Sequence, residues 1–506
     1  MTEQFDAIVV GAGSAGSVVA RRLVEAGKRV LVLEAGGQDV NPAIHDPVGM
    51  GSLWHGPEDW DYYTVPQEHA ANRRLHLPRG KVLGGSHALN AMIWVRCAPS
   101  DYDGWAALGN EGWSWDDVLP TFKAIENFDG GASELRGDDG LLDVVADYPL
   151  SPIQQSIIDS AVAIGLEHNP DYNGDHLDGV SQQQLTMRNN ARLNTYMAYL
   201  APMVGDPRLT IETGAWVHRL LLEGTTVVGV EYEQNGAILQ ARATDVVLSG
   251  GAIDSPRVLL RSGIGPADEL TALGIDVVVD SPGVGRNLHD HLLSPVIFAT
   301  DAREVDPPQP GVSVTQTHLF WRSRPELDVP DTQPINFSVP MYEDWMQGPD
   351  SGFSLMAGLI TPYSRGSLRL AGADPHDGLD IDLAALADER DLVALAASVR
   401  QCRQIGVAAP LGDEWGSREL YPGSEVDDDD ALRDYVRRTA ITYHHQVGTC
   451  KMGSDAEAVV DSRLRVRGVQ GLRVIDASVM PTITSGNTNA PTVMIGERGA
   501  QFLLAD

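Results

Sequence analysis

A strand-like run ending in spaced glycines constrains this chain more than any other feature. Phe5-Asp6-Ala7-Ile8-Val9-Val10 leads into Gly11-Ala12-Gly13-Ser14-Ala15-Gly16. The unbroken apolar triplet suits a strand buried on both faces of a parallel sheet. The glycines follow the spacing G-x-G-x-x-G. The first allows a tight turn, the second lets backbone approach a pyrophosphate, and the third lets the next helix pack on the strand. That helix is expected over 17–26, with Gly27 as its stop, and its N-terminal N–H groups favour a phosphate. A second strand, 29–33, ends at Glu34. A carboxylate there can bind ribose hydroxyls and would repel a 2′-phosphate. The pattern points to a dinucleotide other than NADP and leaves NAD and FAD open.

The length of 506 residues allows two or three domains with ample core. A net charge of −33 disfavours nucleic-acid and anionic-membrane partners. Cys97, Cys402 and Cys450 are too few and too scattered for a disulfide framework or a zinc site, and they suit a reducing compartment. Glu3 and Asp6 stand where a signal peptide would be basic, and no apolar run is long enough to span a bilayer. The expectation is a cytoplasmic protein with no membrane partner; the oligomeric state is left open.

Further along, residues 41–77 read as loop, with Trp54, Trp60, Tyr62 and Tyr63 available to cover a cofactor or to fill core. Gly80, Gly84 and Gly85 precede an apolar run, which implies close backbone contact with a flat or phosphorylated ligand, or a structural turn. Residues 151–202 read mainly as helix, interrupted by a loop near 171–179. Strands are expected at 209–212, 216–223, 226–232 and 244–248. Gly250-Gly251 follows, then a helix with Ser255 as N-cap and Pro256 at its first position. Short alternating segments over 292–362 suggest an antiparallel sheet with one wet face. Helices are expected at 388–408 and 491–504, with a last strand at 472–476. The fold class is α/β with a parallel sheet, plus an inserted α+β unit on an antiparallel sheet.

Longer stretches carry a family resemblance. Gly251 to Gly265 is similar throughout to the second signature of the GMC (glucose–methanol–choline) flavoenzymes, and Gly80 to Asn90 is similar to their first. Leu33 to Gly37, Gly112 to Lys123, Gly283 to Leu288, Ser364-Arg365-Gly366 and Asp476 to Pro481 add to it. The resemblance implies FAD. It implies a discontinuous Rossmann-like FAD-binding domain over 1–150, 205–295 and 460–506. The substrate domain would comprise 151–204 and 296–459, with its antiparallel sheet over the flavin. Carried over, Gly11, Gly13, Ser14, Ala15, Gly16, Glu34 and Ala35 hold the ADP half, with Val217 at the adenine; Trp60 is expected among the cofactor contacts. Val82, Gly84, Gly85, Asn90, Ala91, Met92 and Ile93 line the flavin, and Asp476, Ala477, Ala490 and Thr492 complete the cofactor contacts. Some relatives tether FAD through a histidine at the position of Leu89, so non-covalent FAD is expected here. His87 replaces a small residue of the motif; it could approach the flavin or sit buried and hydrogen-bonded.

Tyr443-His444-His445-Gln446-Val447-Gly448-Thr449 resembles the family's active-site stretch, with His445 as its histidine. Oxidising an alcohol by hydride transfer to flavin N5 requires a base for the hydroxyl proton, and histidine suits neutral pH. Alignment on Thr492 to Gly496 makes Asn489 the second catalytic partner, a donor to the developing alkoxide, although it could equally be an N-cap. Asn487 is the fallback, and His444 a candidate on the substrate side. Adjacent histidines diverge, so His444-His445 makes a poor metal pair; His289-Asp290-His291 lies in a family-like loop, and no metal site is expected. The expected activity is FAD-dependent oxidation of an alcohol to a carbonyl, with O2 or another electron acceptor. Similarity to actinobacterial sugar and glycoside 3-oxidases makes a secondary hydroxyl of a glycoside the lead substrate. Choline, another primary alcohol or an aryl alcohol is the alternative, and a flavin-containing hydroxynitrile lyase is the alternative of another class.

Overall fold

In the computed structural model, which describes residues 4–506, strand Gln4–Val10 lies inside a seven-stranded sheet. Val30–Leu33 and Ala237–Leu248 flank it in parallel, and Leu209–Glu212 extends the sheet beyond Val30–Leu33. Leu472–Val474 pairs in parallel with the C-terminal end of Ala237–Leu248. The register sets Val10 level with Leu33 and Leu248, and Leu248 level with Val474. These strands therefore finish along one edge, where open parallel sheets bind their ligands. The N-terminal half of Ala237–Leu248 instead pairs antiparallel with Thr226–Gln234, which pairs with Ala215–Glu223.

Helix Ser14–Glu25 begins three residues before the expected start and buries Val18, Val19, Leu23 and Val24. A Cβ on Gly16 would stand 2.0 Å from the Gly11 carbonyl oxygen, so the helix can sit this close to the strand only with glycine there. Helix Gly251–Arg261 corrects the expected cap at Ser255. It starts a turn earlier because the Asp476 carboxylate accepts from Gly251 N at 2.8 Å and from Ser255 Oγ at 2.6 Å. Pro256 then lies inside the helix without an N–H for the Ala252 carbonyl. The Thr449 hydroxyl donates to that carbonyl instead, at 2.6 Å.

A second, antiparallel sheet runs in the order Ser417–Tyr421, Leu292–Thr300, Gly352–Leu359, Ile335–Phe337, Thr315–Phe320, Gly179–Gln182, with Ile441–Thr442 beside Leu292. Helix Glu389–Val407 covers one face, where Gly358 N donates to Ser398 Oγ at 3.1 Å. The expected wet face is absent: Thr315–Phe320 and Gly352–Leu359 are buried along their whole length. The opposite face roofs a cleft, and the FAD-side loops close beneath it. The expected helix over 151–202 is also mostly replaced. Only Pro152–Ala163 is α-helix; the polar run that follows pairs as an edge strand, with Gln183 Nε2 donating to Thr315 Oγ1 at 2.9 Å. Among the described residues no helix is long and apolar enough to cross a membrane.

Candidate active site

The cleft follows the C-terminal edge of the parallel sheet and ends beneath the antiparallel sheet. At its first end, helix Ser14–Glu25 opens with Gly13 as N-cap, no side-chain cap and no acid in its first turn. Its free N–H groups and dipole therefore face the cleft without a competing carboxylate. Helix Asn489–Ala505 starts there too, again without a side-chain cap or an acid. Asn489 Nδ2 donates to Ser14 Oγ at 2.9 Å and ties the two N-termini together, while its buried Oδ1 has no partner. A Cβ on Gly13 would meet nothing nearer than Gly85 Cα at 3.8 Å, so protein does not fill the space before it.

Glu34 is buried at its strand end and accepts from Ala12 N at 2.9 Å and Gly36 N at 2.8 Å. Burial pushes its carboxyl up to about 7, against those two donors. Trp60, Trp216 and Val217 wall the far end. The tryptophan rings lie 6.0 Å apart, with the Arg257 guanidinium 5.2 Å from one and 4.9 Å from the other. Free helix N-termini, a buried carboxylate and flat apolar walls fit the pyrophosphate, ribose and adenine of an ADP group in that order.

At the other end, the chain returns through residues 443–449. His445 N donates to Asp290 Oδ1 at 2.8 Å. The same carboxylate accepts from the Thr442 hydroxyl and the Gln446 amide, so Asp290 pins the loop on both sides of His445. Burial pushes Asp290 up to about 6, and these donors oppose it. The His445 ring stacks on Tyr443 at 4.6 Å and 21° and meets His291 edge-on at 5.1 Å. Its Nδ1 lies 3.0 Å from His291 Nδ1, and its Nε2 lies 3.2 Å from Asn487 Nδ2. Asn487 Oδ1 accepts from Gln333 Nε2 at 2.8 Å. With Asn487 donating, His445 Nε2 carries the lone pair and Nδ1 the proton. Burial, with His291, His444 and Arg79 adding to it, holds His445 well below the usual imidazole range and so neutral. His444 has a positive φ of 67°, gives its carbonyl to the Arg79 guanidinium, and sets its ring edge-on to Trp54 at 5.1 Å.

Above His445 the antiparallel sheet supplies Leu293, Ile335, Phe337 and Met356 to the cleft, joined by Met50, Met341, Ile441 and Tyr443. All belong to one apolar cluster. None of the side chains that the sheet contributes to the cleft is charged.

Family profiles of the GMC oxidoreductases match residues 5–293 with their N-terminal part and 362–496 with their C-terminal part. The chain belongs to the GMC oxidoreductase family. It is 37% identical over 531 residues to the alcohol dehydrogenase [acceptor] of Pseudomonas putida, covering 99% of this chain and 96% of that protein. It is 35% identical over 527 residues to the oxygen-dependent choline dehydrogenase of Brucella suis biovar 1, with the same coverage of 99% and 96%. The crystal structure of pyridoxine 4-oxidase from Mesorbium loti superposes with a TM-score of 0.94 at 35% identity, covering 99% of each chain. The protein is thus an FAD-dependent GMC oxidoreductase acting on CH–OH groups.

In this GMC oxidoreductase most of the expected cofactor residues line the cleft: Gly11, Gly13, Ser14, Ala15, Glu34, Ala35, Trp60, Gly85, Asn90, Ala91, Ile93, Val217, Asp476, Ala477 and Thr492. Five do not line it, and they shape it from behind. Gly16 packs on Gly11, and a Cβ on Gly84 would meet the Asn194 amide at 2.7 Å. Val82 is buried with Ile44 and Leu53, Met92 joins the apolar cluster, and Ala490 is buried in the core. His87 is buried and turned away, with Nε2 3.0 Å from Thr186 Oγ1; burial pushes it down to about 3.

His445 and His444 reach the cleft as expected, but Asn489 does not meet His445. Being the first residue of its helix, Asn489 faces the other helix terminus at Ser14. Asn487 precedes the helix and faces the antiparallel sheet, and it is the residue beside His445. Asp290, His291, Gln333 and Arg79 were not anticipated. His289-Asp290-His291 was the available signal, set aside as a metal motif. Nothing local to Gln333 announces its contact with Asn487.

Proposed function

We propose that this enzyme oxidises an alcohol carried on an apolar, aryl or alkyl skeleton, with His445 as base and Asn487 as its partner. The observation that carries this reading is the apolar roof of Leu293, Ile335, Phe337 and Met356, which lines the same cleft as His445 and Asn487. FAD, when bound, supplies the acceptor for the hydride, and O2 or another acceptor then takes the electrons. His445 Nε2 accepts the hydroxyl proton once the substrate hydroxyl takes the place of Asn487 as donor to that nitrogen. His291 Nδ1 accepts from the opposite side of the ring and favours the charge that forms. Asn487 Nδ2 has a second hydrogen free for the substrate oxygen. Stacked Tyr443 holds the ring, and the Asp290 carboxylate holds the His445 backbone.

A glycoside brings several hydroxyls, each needing a partner once desolvated. The roof offers none, which weighs against the 3-position of a sugar. Choline is favoured by an aromatic cage with a carboxylate; this wall is chiefly Met, Leu and Ile. The relative named as an alcohol dehydrogenase supports an alcohol as substrate and leaves its skeleton to the cleft's lining. Leu89 offers no nucleophile and His87 is committed to Thr186, so FAD is held without a covalent bond.

The test is anaerobic. The flavin band is followed while benzylic and alkyl alcohols, methyl glucoside, choline and a cyanohydrin are added in turn. Bleaching by the apolar alcohols supports the reading. Bleaching by the glucoside or choline alone overturns it, and cyanohydrin cleavage without bleaching indicates a lyase. Admitting air then separates oxidase from dehydrogenase.

A further inference from the structure

Behind the adenine wall, three side chains from separate segments converge. His218 lies on strand Ala215–Glu223, Glu233 on the neighbouring Thr226–Gln234, and His376 in the turn joining Ser367–Leu370 to Leu379–Asp382. A register shift between Val217 and Arg219 takes His218 out of regular pairing with the adjacent strand. Such a bulge re-aims a side chain. His218 Nε2 stands 3.5 Å from Glu233 Oε2, and His376 Nε2 stands 3.1 Å from the same oxygen. One ligand atom of each residue lies within 4.8 Å of the other two.

His218 is only 4% exposed, and its Nε2 is sealed from solvent with no hydrogen-bond partner. A buried ring nitrogen beside a carboxylate and a second imidazole is the donor set of a cation site. Tetrahedral zinc, with bonds of about 2.0–2.1 Å, holds its ligands about 3.3–3.5 Å apart. The two separations, 3.1 and 3.5 Å, bracket that spacing. Two imidazoles and one carboxylate suit zinc or a neighbouring transition metal; calcium and magnesium prefer oxygen alone.

We propose that His218, Glu233 and His376 bind one zinc-class divalent ion that clamps the 371–378 turn onto the strand pair beside the adenine wall. Arg261 already donates to the Asp377 carbonyl at 3.0 Å, so the turn is held near its liganding position. His376 is 63% exposed, which leaves the fourth position to water. Trp216 lies edge-on to His218 at 4.8 Å and to His376 at 5.2 Å, so the ion would also fix a wall of the cleft. No spacing motif links positions 218, 233 and 376, which is why the sequence shows no metal set. A second cluster, His55, Asp61 and His76, differs. Its residues are exposed or half-buried, its imidazoles stack at 4.0 Å, and its facing nitrogens bond carboxylates, His55 to Asp61 at 2.7 Å and His76 to Asp59 at 3.1 Å, so it holds no counterpart of the buried, unpartnered His218 Nε2.

The experiment titrates ZnCl2 into the flavin-loaded, chelator-dialysed protein by calorimetry. One tight site per chain is expected in the wild type and in His55→Ala. Affinity should fall at least roughly 100-fold in both His376→Ala and Glu233→Gln. His376 is exposed and Glu233→Gln conserves shape, so both variants should fold, which the flavin spectrum and thermal midpoint verify. Absence of a tight wild-type site overturns the proposal. So does a site that survives both substitutions with less than roughly tenfold weakening, or one that His55→Ala abolishes.

Discussion

The two ends of the cleft are built by different means. The ADP end is made largely of backbone: helix N-termini at Ser14 and Asn489, the space before Gly13, and one carboxylate held by two N–H groups. The substrate end is made of side chains from far-separated positions, with His445 held by Asp290, His291, Asn487 and, through Asn487, Gln333. Backbone geometry is dictated by residues adjacent in sequence. A side-chain constellation depends on which distant strands the fold sets side by side. The first end should therefore be sensitive to added atoms, either in the fold or in the space kept for the cofactor, and the second to the loss of particular groups.

The largest effect should follow removal of the base. His445→Ala should slow anaerobic flavin reduction by about 10²–10⁴-fold while flavin content stays at the wild-type level. Full-rate reduction would show that the base lies elsewhere. Next, Asn487→Ala should slow reduction about 10²-fold, as expected for loss of one preorganised donor. Asn489→Ala should instead leave the reduction rate near wild type and weaken FAD retention. The reverse ranking in rapid-mixing traces would dissolve the distinction between the two ends.

A third pair probes the ADP end alone. Gly16→Ala places a Cβ 2.0 Å from the Gly11 oxygen and should destabilise the fold by about 1–3 kcal/mol or more. Gly13→Ala meets no protein atom closer than 3.8 Å, and its φ of −81° suits alanine. That variant should melt like wild-type apoprotein yet purify with little flavin. If it loses the fold rather than the flavin, the space before Gly13 is not reserved for a phosphate.

The smallest effect concerns pH. Burial pushes His87, His289, His291, His318 and His444 down to about 3, from an unfolded value near 6.5. Below about 6.5 the unfolded chain binds protons that the folded chain refuses, so stability falls as pH falls. Glu34, raised to about 7, and Asp101 and Asp290, raised to about 6, act in the opposite sense by binding protons in the folded state first. Five histidines against three carboxylates leave a net loss, about 1 kcal/mol per pH unit for each unopposed histidine. Thermal midpoints should therefore drop between pH 6.5 and 5; a flat or rising profile contradicts the neutral burial of these rings.

Legibility followed the same division. The strand–glycine–helix unit at residues 4–25 was readable because tight turns and close packing demand glycine at fixed offsets. Helix Gly251–Arg261 was readable in outline but misplaced at its start, because its first turn is stabilised by Asp476 and Thr449, both remote in sequence. The wet face expected of the antiparallel sheet was misread for a related reason: alternation along one strand cannot show that other loops cover its second face. Between Asn487 and Asn489 the sequence offers two amides a single residue apart. Only the helix start at Asn489 decides which one turns toward Ser14 and which toward His445.

By itself, then, the sequence determined the dinucleotide motif and the family and offered His445 as the base, since each is carried by a contiguous motif whose chemistry is local. The tertiary structure decided which amide stands beside His445, the apolar character of the wall above the cleft, and the meeting of His218, Glu233 and His376. Each of these depends on register and packing between segments tens to hundreds of residues apart, and such contacts leave no local periodicity or spacing to read.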